Sequence, residues 1–400
     1  MDRPCLRPGL AAARDPADSR YVLLWDQLRV SDRHERLTLA ELEWVKLFNG
    51  KRTLHDIQIA AMGGLSQQLP SLDLFVNLVR RLEEALFLDG PAFRARLDGP
   101  VREPSCIGCY EGEPDRLRRQ LERLFTGTGG PGRPAATKPD GRLRAALIPH
   151  IDYHRGGVSF AWGFKEVAEQ TDAALFVIIG TSHYSAHRYT LTRKNFKTPL
   201  GVVPTDQQYI DKLVASYGDG LFDDELAHLP EHSIELEVVF LQYLYAGQRA
   251  IRIVPLLVGP FEDCVMDSAT PTAQRDIGRM IAALRQVEAQ TPEPICYIIS
   301  GDLAHIGPKF GDEGPVHETQ LNHSRRQDEA LIRQAEAVDM AGYFNVIAAE
   351  QDQRRICGLP PTYTVLEAVR PGKGKLLHYD QYVHPQGFES VSFASVAFYR

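Results

Sequence analysis

The chain has 400 residues, 44% hydrophobic and 24% charged, and its 45 Lys and Arg against 52 Asp and Glu leave a net charge of −7. That composition is globular and mildly acidic, which argues against a polyanion-binding protein, and at roughly 150 residues per domain it predicts two or three domains. No run approaches the ~18 apolar residues of a membrane span. Asp2, Arg3, Arg7, Arg14, Asp15, Asp18 and Arg20 leave no apolar stretch for a cleavable signal, so the cytoplasm is the expected compartment and neither membrane nor nucleic acid is an expected partner. Six cysteines, scattered apart from Cys106 and Cys109, read as reduced thiols.

Along the first 30 or so residues the only periodic run is strand-like, Tyr21–Trp25. Leu37, Leu39, Leu42, Val45 and Leu47 or Phe48 then fall at helical spacing, with Asn49-Gly50 as the stop. Thr53 is placed to cap a second short helix, and Leu72, Phe75, Leu78, Val79, Leu82 and Leu86 predict a third over Ser71–Leu86. These elements predict a small helical or winged-helix module over residues 1–100. Two prolines break the run Leu97–Pro104, which reads as a linker, and a second domain is expected over 105–400.

That second region opens with a helix over Pro114–Leu124 and a Gly/Pro-rich surface loop over Thr126–Pro139. Short apolar runs at Ala145–Ile148, Ala174–Ile179, Ile251–Val258 and Ile295–Ile299 then alternate with helical stretches, clearest at Asp206–Tyr217, Glu235–Tyr245 and Ala273–Ala289. Two strand-like runs, Leu376–Tyr382 and Ser390–Phe398, close the chain. Buried strands alternating with helices predict an α/β domain with its sheet covered on both faces.

Only two of the 13 histidines precede residue 105, and several of the rest sit just after predicted strands, where open α/β sheets bind their ligands. His150, with Asp152, Tyr153 and Arg155, follows the first strand; Ser182-His183-Tyr184 follows the second. Asp302 and His305 follow Ile295–Ile299, and Glu231-His232 opens a helix. A lone strand-end histidine is usually a loop residue, but several with an Asp in reach make a set suited to divalent iron or zinc. His228 reads as a loop residue, since Pro230 separates it from the His232 helix. Cys106-x-x-Cys109 is half a zinc site at best, and the glycines within Gly127–Gly130 follow no strand and make no phosphate loop.

Pro149-His150-Ile151-Asp152-Tyr153 with Gly156-Gly157, Gly180-Thr181-Ser182-His183, Glu231-His232-Ser233-Ile234-Glu235, Ser300-Gly301-Asp302-Leu303-Ala304-His305 and Ile356-Cys357-Gly358 stand in an order that resembles the Memo family, whose bacterial members are called AmmeMemoRadiSam system protein B. The resemblance covers about residues 105–400. It implies a three-layer α/β fold with a central mixed sheet flanked by helices, similar to LigB-type class III extradiol dioxygenases, which are non-haem Fe(II) enzymes. It also implies that His150 and His183 are metal ligands and that His232 faces the pocket. Animal Memo proteins carry a cysteine where this chain has Ala304, so either Asp302 or His305 supplies the missing ligand or the site binds metal more weakly. Iron is the expected metal, with zinc or copper as alternatives.

The remaining roles follow from chemistry. His232 and His305 are candidate acid/base groups, the alternative for His232 being a helix-start bond to Glu235. Asp152 and Arg155 orient the His150 ring, meet an anionic substrate, or simply pair with each other; Tyr184 is expected in the pocket wall; and Cys357 is expected to pack.

Leu39-x-x-Leu42-x-x-Val45 followed by Phe48-Asn49-Gly50 and Thr53-Leu54-His55-Asp56-Ile57 resembles PqqD-like winged-helix modules, which bind a peptide by strand addition; a DNA-binding winged helix or a packing appendage is the other reading. Two functions therefore remain open at this point. One is a metal-dependent oxidoreductase. The other is a non-catalytic scaffold that retains the fold and works, as the family name implies, with an AMMECR1-like protein and a radical SAM enzyme.

Overall fold

A computed structural model describes residues 2–28, 30–62, 69–135 and 142–400, and the chain divides into two compact units, 1–100 and 101–400. The first unit begins with an antiparallel sheet of β1 (Leu10–Arg14), β2 (Tyr21–Asp26) and β3 (His34–Thr38), in that order. Its helices are α1 (Leu39–Val45), α2 (Leu54–Ala61), α3 (Leu72–Glu84) and α4 (Pro91–Asp98). β1 had no sequence signal because Ala11–Ala13 show no alternation; it exists through pairing, with Ala12 opposite Leu24. Thr38 and Thr53 cap α1 and α2, each with a reciprocal bond from the acid three residues on, Glu41 and Asp56. The cap at Thr38 also assigns Leu37 to β3 rather than to the helix its spacing predicted, and α1 ends at Val45, ahead of the Asn49-Gly50 turn. Ile57, Phe75, Leu78, Leu82 and Leu88 form this unit's core.

The second unit contains β4 (Val101–Arg102), α5 (Pro114–Thr126), β5 (Leu143–Ile148), α6 (Tyr153–Gln170), β6 (Leu175–Thr181), β7 (Tyr189–Leu191), β8 (Asn195–Thr198), β9 (Gly201–Val203), α7 (Gln207–Tyr217), α8 (Ser233–Tyr245) and β10 (Arg252–Val258). It continues through α9 (Glu262–Met266), α10 (Arg275–Ala289), β11 (Ile295–Ser300), β12 (His305–Ile306), α11 (Glu318–Glu336), α12 (Met340–Ala348), α13 (Leu359–Val369), β13 (Lys373–Val383) and β14 (Ser390–Tyr399). The main sheet has the order β12-β14-β5-β11-β6-β10-β7, with β13 beside β14. β5, β11, β6 and β10 run parallel, while β14 and β7 join antiparallel on either side, so the sheet is mixed.

Both faces of this sheet are covered because successive side chains of a strand point to opposite sides. Ala145, Leu147, Val177, Ile179, Tyr297 and Ile299 pack with α7, α10 and α13 on one face. Ala146, Ile148, Phe176, Ile178, Cys296 and Ile298 pack with α5, α6 and α8 on the other. The result is a three-layer α/β unit whose parallel strands read as unbroken apolar runs.

Two segments depart from expectation. Arg102, expected in a linker, is fully buried: β4 pairs with β8, and the Arg102 guanidinium bonds the Glu235 carboxylate of α8. Of the loop expected over Thr126–Pro139, residues 126–135 are described; Trp162 Nε1 and Lys165 Nζ of α6 donate to the carbonyls of Gly129 and Pro131 at 2.9 Å. The rest of that loop lies outside the described residues. No described helix is long and apolar enough to cross a membrane.

Candidate metal centre

His150, His183 and Asp302 follow β5, β6 and β11, three adjacent parallel strands, so their carboxyl ends bring these groups to one edge of the sheet. The N-terminus of α8 reaches the same edge because Gly180 leaves room for it; a Cβ there would lie 2.6 Å from Ser233 Oγ. Potential ligand atoms of His150, His183 and His232 all lie within 4.8 Å of one another, and so do those of His150, Asp302 and Cys357. His150 belongs to both groups. Its ring centroid is 5.1 Å from that of His183 and 5.4 Å from that of His232, while the latter two rings stack at 4.9 Å.

Hydrogen bonds fix which nitrogen each ring presents. Glu231, 1% exposed, accepts from His183 Nδ1 at 3.0 Å and lies 3.2 Å from His232 Nδ1. It also accepts the backbone N–H groups of His183, His232 and Ser233 at 2.7, 2.9 and 3.0 Å. A carboxylate that takes the Nδ1 protons leaves Nε2 of each ring as the atom that faces a ligand. Ser300 does the same for His150: its hydroxyl donates to Ser233 O at 2.5 Å, so its oxygen accepts from His150 Nδ1 at 3.3 Å. Nε2 of His150 then faces Cys357 Sγ at 3.3 Å.

Charges follow from these contacts. Burial opposes the carboxylate of Glu231, but the His183 and His232 rings hold its pKa well below the ordinary value. Burial likewise opposes a charge on His183, and Glu231 together with Cys357 overrides it, raising that pKa well above the ordinary value. His150 is pushed the other way, by burial and by the two neighbouring rings, and stays neutral. Burial lifts Asp302 to about 6, against the His150 backbone N–H that bonds its Oδ1 at 2.9 Å.

The Asp302 and Cys357 side of the site rests on a close approach of two glycines. A Cβ on Gly301 would lie 2.6 Å from Gly358 Cα, and one on Gly358 would lie 2.6 Å from Asp302 O. Gly358 N donates to Asp302 O at 2.9 Å, and Thr181 Oγ1 donates to Cys357 O at 2.7 Å, which pins the Cys357 turn against the ends of β6 and β11.

Comparison with known proteins matches this architecture. The family model described as Memo-like protein covers residues 102–397. The chain belongs to the Memo family. A MEMO1 family protein of Methanopyrus kandleri is 30% identical over 310 residues, which is 75% of this chain and 99% of the relative. One from Aquifex aeolicus is 24% identical over 368 residues, 89% of this chain and 90% of the relative. The solved structure of an uncharacterized protein of Escherichia coli K12 covers 64% of this chain and all of its own at 15% identity and a TM-score of 0.38, a likeness too slight to argue from.

Not every residue singled out in the sequence joins the Memo centre. His305 is in neither group; its Nδ1 faces the carbonyls of Leu303 and Arg355 at 3.1 Å, and burial lowers it to about 4. Asp152 and Arg155 pair with each other at 2.7 Å, Arg155 also reaching Glu389 at 3.4 Å, and Asp152 bonds no part of His150. Tyr184 packs half-buried on the α6/α8 face of the core. His228 is buried rather than looped out, with Nε2 3.0 Å from Thr190 O, and burial lowers it to about 3.

Four expectations need correcting. His232 meets Glu231, not Glu235, because Arg102, Ser105 and Tyr110 occupy the Glu235 carboxylate. Ala304 does not empty the site of sulfur: Cys357, expected only to pack, brings its thiol to His150 from another segment. Of the two substitutes for the missing ligand, Asp302 stands beside His150 and His305 does not. Cys106 and Cys109, read as reduced or half a zinc site, form a disulfide across a tight turn with Cα atoms 5.6 Å apart, where Cys109 N donates to Cys106 O at 2.9 Å.

Two further acids, Glu231 and Glu237, belong to the site without a motif of their own in the sequence. Adjacency to His232 was the available signal for the first. Glu237 had none: it is fully buried in α8, both its carboxyl oxygens lack a hydrogen-bond partner, and burial beside Asp302 pushes it well above the ordinary carboxylate range.

Proposed function

We propose that this Memo domain binds one divalent transition metal at His150 and acts as a non-haem oxidoreductase, with iron(II) as its ion. His150 carries the reading, because it joins an imidazole group with His183 and His232 to a second group with Asp302 and Cys357, and imidazole with carboxylate is the donor chemistry of non-haem iron. Cys357 adds a soft donor that also suits zinc and copper, the two ions the assay must separate from iron. Iron bound there would supply an open position and an accessible redox couple for oxygen or a substrate hydroxyl.

The protein's own part is positional. Glu231 and Ser300 hold the Nδ1 side of His183, His232 and His150, so that each ring offers Nε2; at His183 a metal ion would displace the proton that Glu231 favours. Of the two histidines expected as acid or base, His232 is the one within reach of the centre; its Nε2 can take a proton from a bound hydroxyl and return it. From the family resemblance we further infer work alongside an AMMECR1-like protein and a radical SAM enzyme. The first unit, whose β1 and β3 each pair only with β2 among the described strands, would take a peptide on an open edge. Co-purification with those two partners, with and without residues 1–100, tests this part.

Metal content by mass spectrometry on protein purified without oxygen tests the centre. Near-stoichiometric iron in the wild type, lost in a His150→Ala, His183→Ala double variant, is the expected result. No metal in either protein after incubation with Fe(II) would overturn the reading and leave a scaffold that retains the fold.

A further inference from the structure

Beside the metal centre lies a cavity of about 340 Å³, large enough for a compact small molecule. Cys357 is common to both: its Sγ lies 3.3 Å from His150 Nε2, and the residue also walls the cavity. Thr181 and Ser182, at the end of β6 next to His183, form the adjoining wall. The Pro260–Met266 loop and helix and the Gln351–Pro360 segment close the other sides.

The walls are chemically uneven. Phe261, Val265, Ile356, Leu359 and Met266 present an apolar surface, and the Met266 side chain stands 60% exposed. The polar complement is acidic. Glu262 and Asp352 both border the cavity and neither forms an ion pair among the described residues; Glu262 is exposed, and Asp352, in the field of Arg354 and Arg355, spends one oxygen on the backbone N–H of Ile356 at 2.7 Å. The lone basic group among the lining residues, Arg355, is committed: its guanidinium donates to Asp312 at 2.5 Å and to His305 O at 3.1 Å. In the same wall the Ser182 hydroxyl is buried and without a hydrogen-bond partner. Two carboxylates against one arginine, itself paired with Asp312, and a free hydroxyl beside an apolar surface leave the lining net negative: it favours a cation and disfavours an anion.

We propose that this cavity is the substrate pocket of the centre and that its ligand is a small primary amine with an apolar, ring-sized body. The ammonium group sits between Glu262 and Asp352, and the body packs on Phe261, Val265 and Met266 with its far end toward Cys357. The substrate role rests on the metal reading above; the binding does not, and the two are separable by experiment.

The test is calorimetric titration of the full chain with 2-phenylethylamine, tyramine and hexylamine, set against 2-phenylethanol and 3-phenylpropionate, with the metal content of each sample measured in parallel. At least one amine is expected to bind tenfold or more tightly than 3-phenylpropionate. A Glu262→Gln, Asp352→Asn double variant should lose that preference, and Met266→Trp, which fills the cavity from an exposed position, should abolish binding of every probe while leaving metal content unchanged. Failure of all three amines to bind, equal binding of the carboxylate, or indifference to Met266→Trp would each overturn the pocket assignment. Metal retained without amine binding defeats this inference alone. Amine binding sensitive to Met266→Trp in a protein that takes up no metal defeats the metal reading and leaves the pocket standing.

Discussion

The two sides of His150 are built by different means. His183 and His232 are held by one buried carboxylate, Glu231, which also takes three backbone N–H groups, so five donors converge on two oxygens. Asp302 and Cys357 are held by backbone proximity, with Gly301 against Gly358 and one main-chain bond between their turns. The first side is electrostatic and the second steric. Each should therefore fail under a different substitution.

The largest expected effect is on the electrostatic side. Glu231→Ala strands two half-buried imidazoles and three backbone donors, one of them fully buried, and removing the buried partner of such a network costs up to about 3–5 kcal/mol. Urea unfolding at neutral pH should show that loss; a change below about 1 kcal/mol would mean that water replaces the carboxylate. Glu231→Gln, which keeps the shape but not the charge, should retain the fold and weaken metal affinity by about 10–100-fold.

Gly301→Ala attacks the steric side. Its methyl meets Gly358 Cα, and overpacking in a rigid interior costs about 1–3 kcal/mol while pushing Cys357 away from His150. Spectra of the cobalt-substituted protein should then lose thiolate-to-metal charge transfer, as Cys357→Ser would, while Glu231→Gln retains it. If Gly301→Ala keeps that band, the glycine contact does not position the thiol.

Two histidines away from the ligand groups, His228 buried and His305 partly so, sharpen the comparison through pH. His228 and His305 are lowered by burial to about 3 and 4, so below their unfolded pKa of about 6.5 the unfolded chain binds protons that the folded chain refuses. Their stabilising effect is thus complete at neutral pH and erodes as the pH falls, by about 2 kcal/mol per histidine at pH 5. Asp302, raised to about 6, acts in the opposite sense, binding its proton more tightly folded than unfolded between about pH 4 and 6. Glu237 and His183, also raised, act with Asp302, so the readout is a difference between variants: His228→Gln should lose less stability to urea between pH 7 and pH 5 than the wild type does, by about 2 kcal/mol. An unchanged slope in that variant would mean His228 is not held neutral.

The smallest effect is expected at Cys106–Cys109, a cross-link that closes only a four-residue turn. By loop-closure entropy its loss in Cys106→Ser should cost no more than about 2 kcal/mol, with metal content unaffected. A large loss of metal in that variant would tie the turn to the centre through Tyr153, whose N–H donates to Cys109 O at 3.0 Å.

Much of the second unit was legible because its strands are unbroken apolar runs and its later helices keep a clear apolar face; β5, β6, β10 and β11 lie within a few residues of the runs read from sequence. α6 has no clear sequence signal because Gly156 and Gly157 fall among its first five residues and Asp152 makes no side-chain cap. Those glycines serve packing instead: a Cβ on Gly157 would strike Leu124 of α5 at 2.7 Å. β1, β4 and β7 are short and owe their existence to a neighbour, which no local pattern records.

The site divides in the same way. Sequence alone determined that His150, His183 and Asp302 end strands, because a strand's polar terminus after an apolar run is a local signal, and parallel order then places those ends together. Only the tertiary structure decided which acids and thiols complete the group. Glu231, Glu235 and Glu237 share one short stretch and are all buried, yet one meets two histidines, one meets Arg102, and one meets no cation and is pushed by burial well above the ordinary carboxylate range. Cys357 likewise reaches His150 from 207 residues away. Charge state and ligand identity are properties of the contacts a side chain makes in space, and those contacts join segments whose spacing in the sequence carries no trace of them.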